Sequence, residues 1–134
     1  MGDNKKLKIF LIDDDDINLT TAELFLKDEY EIRKSQVGQE ALDCIKSNEF
    51  VPDIILLDVI MPTMSGWEVY KRVREISFMK NVPIAFLTSL VGEEERKKAY
   101  KMGAADYIIK PFNMTELKSR VKEITKKYKI TNNR

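Results

Sequence analysis

Ile54-Ile55-Leu56-Leu57-Asp58-Val59-Ile60-Met61-Pro62 is the stretch on which the reading of this chain turns. Apolar residues follow one another without alternation, the pattern of a strand covered on both faces in a parallel sheet, and the run breaks at a carboxylate with a proline shortly after it. Asp58 therefore stands at the carboxyl end of a central strand. In open α/β sheets that edge collects ligands and chemistry, because the loops leaving the strands open a crevice there. An apolar strand gains nothing from a charge at its tip, so a cation or a reaction is expected at Asp58. The plainer account is an aspartate capping a turn ahead of Pro62.

Before this stretch, Leu7-Lys8-Ile9-Phe10-Leu11-Ile12 reads as a first strand, ended by Asp13-Asp14-Asp15-Asp16. Asp15 or Asp16 is positioned to cap a helix over Ile17 to Lys27, with Leu19, Leu24 and Phe25 among its apolar positions. Tyr30 to Ser35 is a weaker strand near the sheet edge. Gly38 to Asn48 is a second helix carrying Ala41, Leu42 and Ile45. After Pro62, the loop Thr63-Met64-Ser65-Gly66 leads into a helix over Trp67 to Ile76, where Gly66 allows a sharp turn. Val82 to Leu87 is a fourth strand, ending at Thr88-Ser89. Glu93 to Met102 is a helix with acids first and bases later, as its dipole favours, and Gly103 stops it. Asp106 to Ile109 is a fifth strand, followed by Lys110-Pro111. Thr115 to Tyr128 closes the chain as a helix with Leu117, Val121 and Ile124 on one stripe.

Strands alternating with helices in this way give right-handed βαβ units and a doubly wound parallel sheet with helices on both faces. The expected organisation is a polar lead-in over residues 1–6, one domain over 7–128 and a polar tail over 129–134. At 134 residues, 43% of them hydrophobic and 34% charged, the chain suffices for one core. No apolar run approaches the roughly 18 residues of a membrane span. Cys44, the single cysteine, is expected as a small buried hydrophobe, and a cytoplasmic location is the default. With no histidine, Ser-His and Cys-His pairs, histidine metal sites and phosphohistidine chemistry on this chain are excluded. The net charge of +1 hides an asymmetry, since residues 93–134 hold 12 basic and 6 acidic side chains.

At the strand ends, Asp13 and Asp14, Asp58, Thr88 and Lys110 should all emerge on one side. Like carboxylates at about 4 Å and an effective dielectric near 20 repel by on the order of 4 kcal/mol, so positive charge is required among them. Oxygen ligands without histidine or thiolate suit a hard cation, and a site of two or three carboxylates suits Mg²⁺. Lys110 adds a point charge and Thr88 a hydroxyl donor. Together these are the parts for phosphoryl transfer onto Asp58.

Four blocks share a spacing: Phe10-Leu-Ile-Asp13-Asp14-Asp15; Leu57-Asp58-Val-Ile-Met-Pro62-Thr-Met-Ser-Gly66; Leu87-Thr88-Ser89; and Gly103-Ala-Ala-Asp106-Tyr107-Ile-Ile-Lys110-Pro111-Phe112. Over nearly the whole chain this resembles the receiver domain of two-component response regulators. The resemblance implies a sheet of strand order 2-1-3-4-5 with five flanking helices. It implies Asp58 as phosphoacceptor, with Asp13, Asp14, Asp58 and the backbone carbonyl of Ile60 around Mg²⁺. Lys110 would pair with the phosphoryl group, Thr88 would be the switching hydroxyl and Tyr107 the aromatic that follows it, and the Lys110-Pro111 bond would be cis. Ser89 departs from the alanine or glycine usual after the switching threonine. Ile60 and Leu90, each two residues past a site residue, are expected to shield an acyl phosphate from water.

The implied protein is a phosphoacceptor signalling domain rather than an enzyme with a substrate. Its phosphoryl donor would be a histidine kinase or histidine phosphotransfer protein. Its surface of fourth helix, fifth strand and fifth helix would control an unidentified protein target, as a monomer or as a dimer on phosphorylation. A freely diffusing regulator or relay intermediate is preferred over a receiver cut from a longer protein. Two rivals stand beside it. Asp13-Asp14-Asp15-Asp16-Ile17 nearly fits the Asp-x-Asp signature of a Mg²⁺ phosphatase of the haloacid-dehalogenase kind, which leaves Asp58 and Pro62 unexplained. The basic end could serve a nucleic-acid-binding module, although a solvated or protein-docking face is the commoner use.

Overall fold

The computed structural model describes residues 6–130. Five strands form one parallel sheet: β1 (Leu7–Ile12), β2 (Tyr30–Ser35), β3 (Ile54–Leu57), β4 (Ile84–Thr88) and β5 (Asp106–Ile109), in the order β2-β1-β3-β4-β5. The helices between and after them are α1 (Asp16–Leu26), α2 (Gly38–Lys46), α3 (Gly66–Arg74), α4 (Glu93–Met102) and α5 (Met114–Lys127). This is the doubly wound architecture and strand order expected from the sequence.

The unbroken apolar runs explain the layering. In β3, Ile55 and Leu57 enter the core beneath α2 and α3, whereas Ile54 and Leu56 enter the core beneath α1 and α5. β1 divides in the same way, with Phe10 and Ile12 on one side and Ile9 and Leu11 on the other. Successive side chains of a strand point to opposite faces, so a strand with both faces covered must be apolar at every position. Each of these buried side chains contributes about 1.5–3 kcal/mol relative to leaving it in water.

The register aligns the strand ends. Ile12 pairs with Leu57, and Leu57 pairs with Phe86. The Asp58 N–H continues the ladder by donating to the Ile12 carbonyl at 2.9 Å. Asp13 and Asp58 thereby leave the sheet side by side.

Several boundaries differ from the sequence expectation. β4 begins at Ile84 rather than Val82, because Pro83 has no N–H for the ladder and the Val82 carbonyl accepts from Arg74 Nη1 at 2.7 Å. The same Arg74 nitrogen holds the Met79 carbonyl at 3.1 Å, fixing a short 3-10 turn, Ser77–Met79, that hydropathy did not signal. Leu24 is exposed, and Ala22 and Leu26 fill the α1 stripe beside Leu19. Cys44 is half-buried and accepts from Arg33 Nη1 at 3.2 Å. Most of the expected lead-in and tail lies outside the described residues. Of the tail, Lys129 takes a left-handed φ of 54°, the Ile130 N–H returns to the Thr125 carbonyl at 2.9 Å, and Ile130 packs on the α1/α5 core. These contacts close the end of α5.

Candidate functional site

Asp15 caps α1, its side chain accepting from the Ile17 and Asn18 N–H groups. Taking up this role, Asp15 leaves Asp13 and Asp14 as the carboxylates between the strand end and the helix. Asp13 is buried, and its Oδ1 accepts from the Asp15 N–H at 2.9 Å. Asp14 is exposed, and its carbonyl is held by Gln36 Nε2 at 3.0 Å. Asp58 is buried, with Oδ1 facing the Ile60 N–H at 3.4 Å.

Lys110 reaches between the two buried acids. Its Nζ donates to Asp13 Oδ2 at 2.6 Å and to Asp58 Oδ2 at 3.2 Å. The Lys110 N–H donates to the Thr88 carbonyl at 2.9 Å, and the Lys110-Pro111 peptide is cis, as the resemblance implied. Burial pushes the Asp13 carboxyl above its ordinary value; the Lys110 and Asp15 hydrogen bonds pull it down, and the nearby Asp58 charge adds to the rise.

Oxygens of Asp13, Asp14 and Asp58 lie within 4.8 Å of one another. Lys110 bridges two of these carboxylates and makes no ion pair with Asp14. A donor set made only of oxygens, in which three carboxylates face a single lysine, is left with two negative charges and fits a hard divalent cation such as Mg²⁺. Asp14 and Asp58 line a cleft of about 510 Å³ together with Asn18, Ile60, Ser89 and Pro111. Asn18 went unremarked in the sequence. The signal for it was its place three residues beyond the helix cap, in the first turn, which faces the strand edge.

Thr88 and Tyr107 sit behind the cleft rather than in it. Thr88 is fully buried, and its Oγ1 accepts from the Leu90 N–H at 3.2 Å. Tyr107 is buried too, and its hydroxyl donates to the Leu90 carbonyl at 2.9 Å. One peptide segment thus joins the two residues. The Tyr107 ring also meets Phe86, which is packed in turn by Trp67 and Tyr70. Burial raises the Tyr107 phenol above its ordinary value, so it remains a donor. The paired shielding expected of Ile60 and Leu90 is divided: Ile60 lines the cleft with its side chain half exposed, while Leu90 packs against the core beneath α3.

Gly66 has a structural reason that its turn-forming role did not supply. A Cβ there would collide with the Asp58 carbonyl oxygen, so glycine is what allows α3 to start against the strand end. The left-handed position in this loop is Thr63 instead, at φ 70°, with the Met64 N–H on the Pro62 carbonyl at 2.7 Å. Such a tight turn at a β-branched residue is strained.

A family model described as the response regulator receiver domain matches residues 9–122. The transcriptional regulatory protein CrdR of Helicobacter pylori is 35% identical over 116 residues, 86% of this chain and 53% of that protein. The cell cycle response regulator CtrA of Brucella ovis is 36% identical over 124 residues, 92% of this chain and 52% of that protein. Among solved structures, chemotaxis protein CheY4 of Vibrio cholerae superposes with a TM-score of 0.82 at 32% identity, covering 89% of this chain and 98% of that one. The chain spans about half or less of the length of the curated relatives it matches. No helix among the described residues is long and apolar enough to cross a membrane. Fold, sequence match and a cluster of acids at the carboxyl edge agree, and the chain belongs to the family of response regulator receiver domains.

Proposed function

We propose that this receiver domain accepts a phosphoryl group on Asp58 and uses it to reshape the surface formed by α4, β5 and α5. The observation that carries the reading is the position of Asp58: a buried carboxylate at the end of β3, 3.2 Å from Lys110 Nζ and beside Asp13 and Asp14. An Asp58 oxygen attacks phosphorus in line. The new O–P bond forms as the donor's P–N bond breaks, in a phosphohistidine of a kinase or phosphotransfer protein, or its P–O bond in acetyl phosphate. Asp13, Asp14, Asp58 and the Ile60 carbonyl would hold Mg²⁺, which supplies charge neutralisation for the phosphoryl oxygens. Lys110, already shared between Asp13 and Asp58, turns part of its charge to the new group.

The phosphoryl group carries about two negative charges and strong acceptor oxygens where only a carboxylate stood. The Thr88 hydroxyl leaves the Leu90 N–H to donate to it, and the segment after β4 follows. Tyr107 already occupies the inward position with its hydroxyl on the Leu90 carbonyl. Phosphorylation therefore acts by favouring an arrangement the unmodified chain can reach, a population shift rather than the creation of a new state. A downstream protein reads the result on α4, β5 and α5.

The test is intact mass after incubation with acetyl phosphate and Mg²⁺. The expected result is a gain of one phosphoryl group that disappears with chelator and in Asp58→Asn. No gain in the wild type, with Mg²⁺ binding demonstrated separately, overturns the reading.

A further inference from the structure

A groove of about 970 Å³ lies at the opposite pole, where the strands begin and the helices end. Its charged lining comprises Lys6, Lys8, Lys80 and Lys129 against one aspartate, Asp53. The Asp53 carboxylate is already engaged, accepting from the Lys8 N–H at 2.8 Å. None of the four lysines forms an ion pair with a described residue. Lys6 Nζ lies 3.3 Å from the Lys27 carbonyl at the end of α1, and Lys8 lies 5.5 Å from the centre of the Phe50 ring. The Lys80 and Lys129 side chains make no hydrogen bond among the described residues, and both residues are exposed, one after the 3-10 turn and one after α5. Phe78 is half exposed and lines the same groove, as do Pro52 and Pro83.

We infer that this groove binds an acidic, extended polypeptide segment of a partner protein, with carboxylates on the lysine rim and an apolar side chain on Phe78. Charge complementarity selects an anion, and two further features select the kind. The cations come from separate segments, the start of β1, the residue after the 3-10 turn and the segment after α5, and Lys6 and Lys8 reach different partners, which matches a series of carboxylates. A compact phosphate is favoured where helix N-termini present N–H groups, but this pole presents helix C-termini, whose carbonyl oxygens repel concentrated negative charge. The inference is independent of phosphorylation at Asp58, which lies at the other edge of the sheet.

The probe is a synthetic octapeptide alternating glutamate with leucine, titrated into the isotopically labelled full chain and followed by amide chemical shifts. Shifts should concentrate at Phe78, Lys80 and Lys129 and weaken as salt rises. The double charge reversal Lys80→Glu with Lys129→Glu should weaken binding by about tenfold or more, whereas Lys80→Arg with Lys129→Arg should retain it. Both positions are exposed, so spectra of the free variants verify that the fold is intact. Shifts lying elsewhere, or charge-reversed protein binding as tightly as the wild type, would overturn the inference. Tighter binding of ATP or of a single-stranded oligonucleotide than of the peptide would overturn the choice of a polypeptide.

Discussion

Lys110 shares one positive charge between two buried acids, so its loss leaves both carboxylates without an ion-pair partner among the described residues. Its Nζ is 2.6 Å from Asp13 and 3.2 Å from Asp58, and all three side chains are largely shielded from water. Removing one member of such a group leaves the rest as uncompensated buried charge. Lys110→Ala should therefore cost about 3 kcal/mol in urea denaturation without metal, and added Mg²⁺ should recover a larger share of stability in the variant than in the wild type. Equal stability of the two proteins without metal would contradict this account. Thr63 gives a change of opposite sign. Its φ of 70° costs on the order of 1–3 kcal/mol for a β-branched residue, while glycine's extra chain entropy costs about 0.5–1 kcal/mol. Thr63→Gly should then raise stability by about 1 kcal/mol, read from the denaturation midpoint at unchanged slope.

Among the elements, α4 and α5 are held to the sheet unequally. α4 buries only Ala99, and its first residue follows Gly92, which offers no side-chain cap. α5 buries Leu117, Val121 and Ile124, is capped by Asn113 on the Glu116 N–H, and closes on Ile130. A helix with so little buried apolar surface opens at low cost. Amide hydrogen exchange should find α4 exchanging well ahead of α5, with the difference narrowing when Asp58 carries a phosphoryl group or a stable mimic of one. Equal protection of the two helices would remove α4 as the mobile part of the switch. The basic character of α5 is partly spent inside the domain, since Arg120 pairs with Asp106 at 2.8 Å and Lys118 with Glu29 at 3.8 Å. A protein-facing surface agrees with this better than a nucleic-acid interface.

For the molecule as a whole, alkaline pH reports on the packed state. Burial is the first cause raising the Tyr30 and Tyr107 phenols above the ordinary 10.0. A phenol that holds its proton more tightly when folded contributes stability that is complete below pH 10.0 and is lost as the pH rises through its folded value. Unfolding free energy should accordingly fall as the pH passes 10.0, and Tyr107→Phe should flatten that fall while costing about 1 kcal/mol at neutral pH for the lost bond to Leu90. Stability independent of pH across this range would argue against the buried phenols.

The sequence alone determined the architecture and the acids of the site. Ile54 to Leu57 had to be covered on both faces because no polar residue interrupts it, and the alternation of elements then set the winding. Asp13, Asp14, Asp58 and Lys110 were legible because strand ends in a parallel sheet share an edge, a relation that follows from topology without coordinates. What required the tertiary structure was everything that depends on contacts between residues distant in the chain. Burial of Thr88 and Tyr107 on either side of the Leu90 backbone, the collision that reserves position 66 for glycine, and the return of Ile130 to the core are of this kind. So is the groove at the far pole, whose lining draws Lys6, Lys80 and Lys129 from three separate segments. Periodicity records which face of an element is apolar; which partner that face or a polar group finds is decided only when the elements pack.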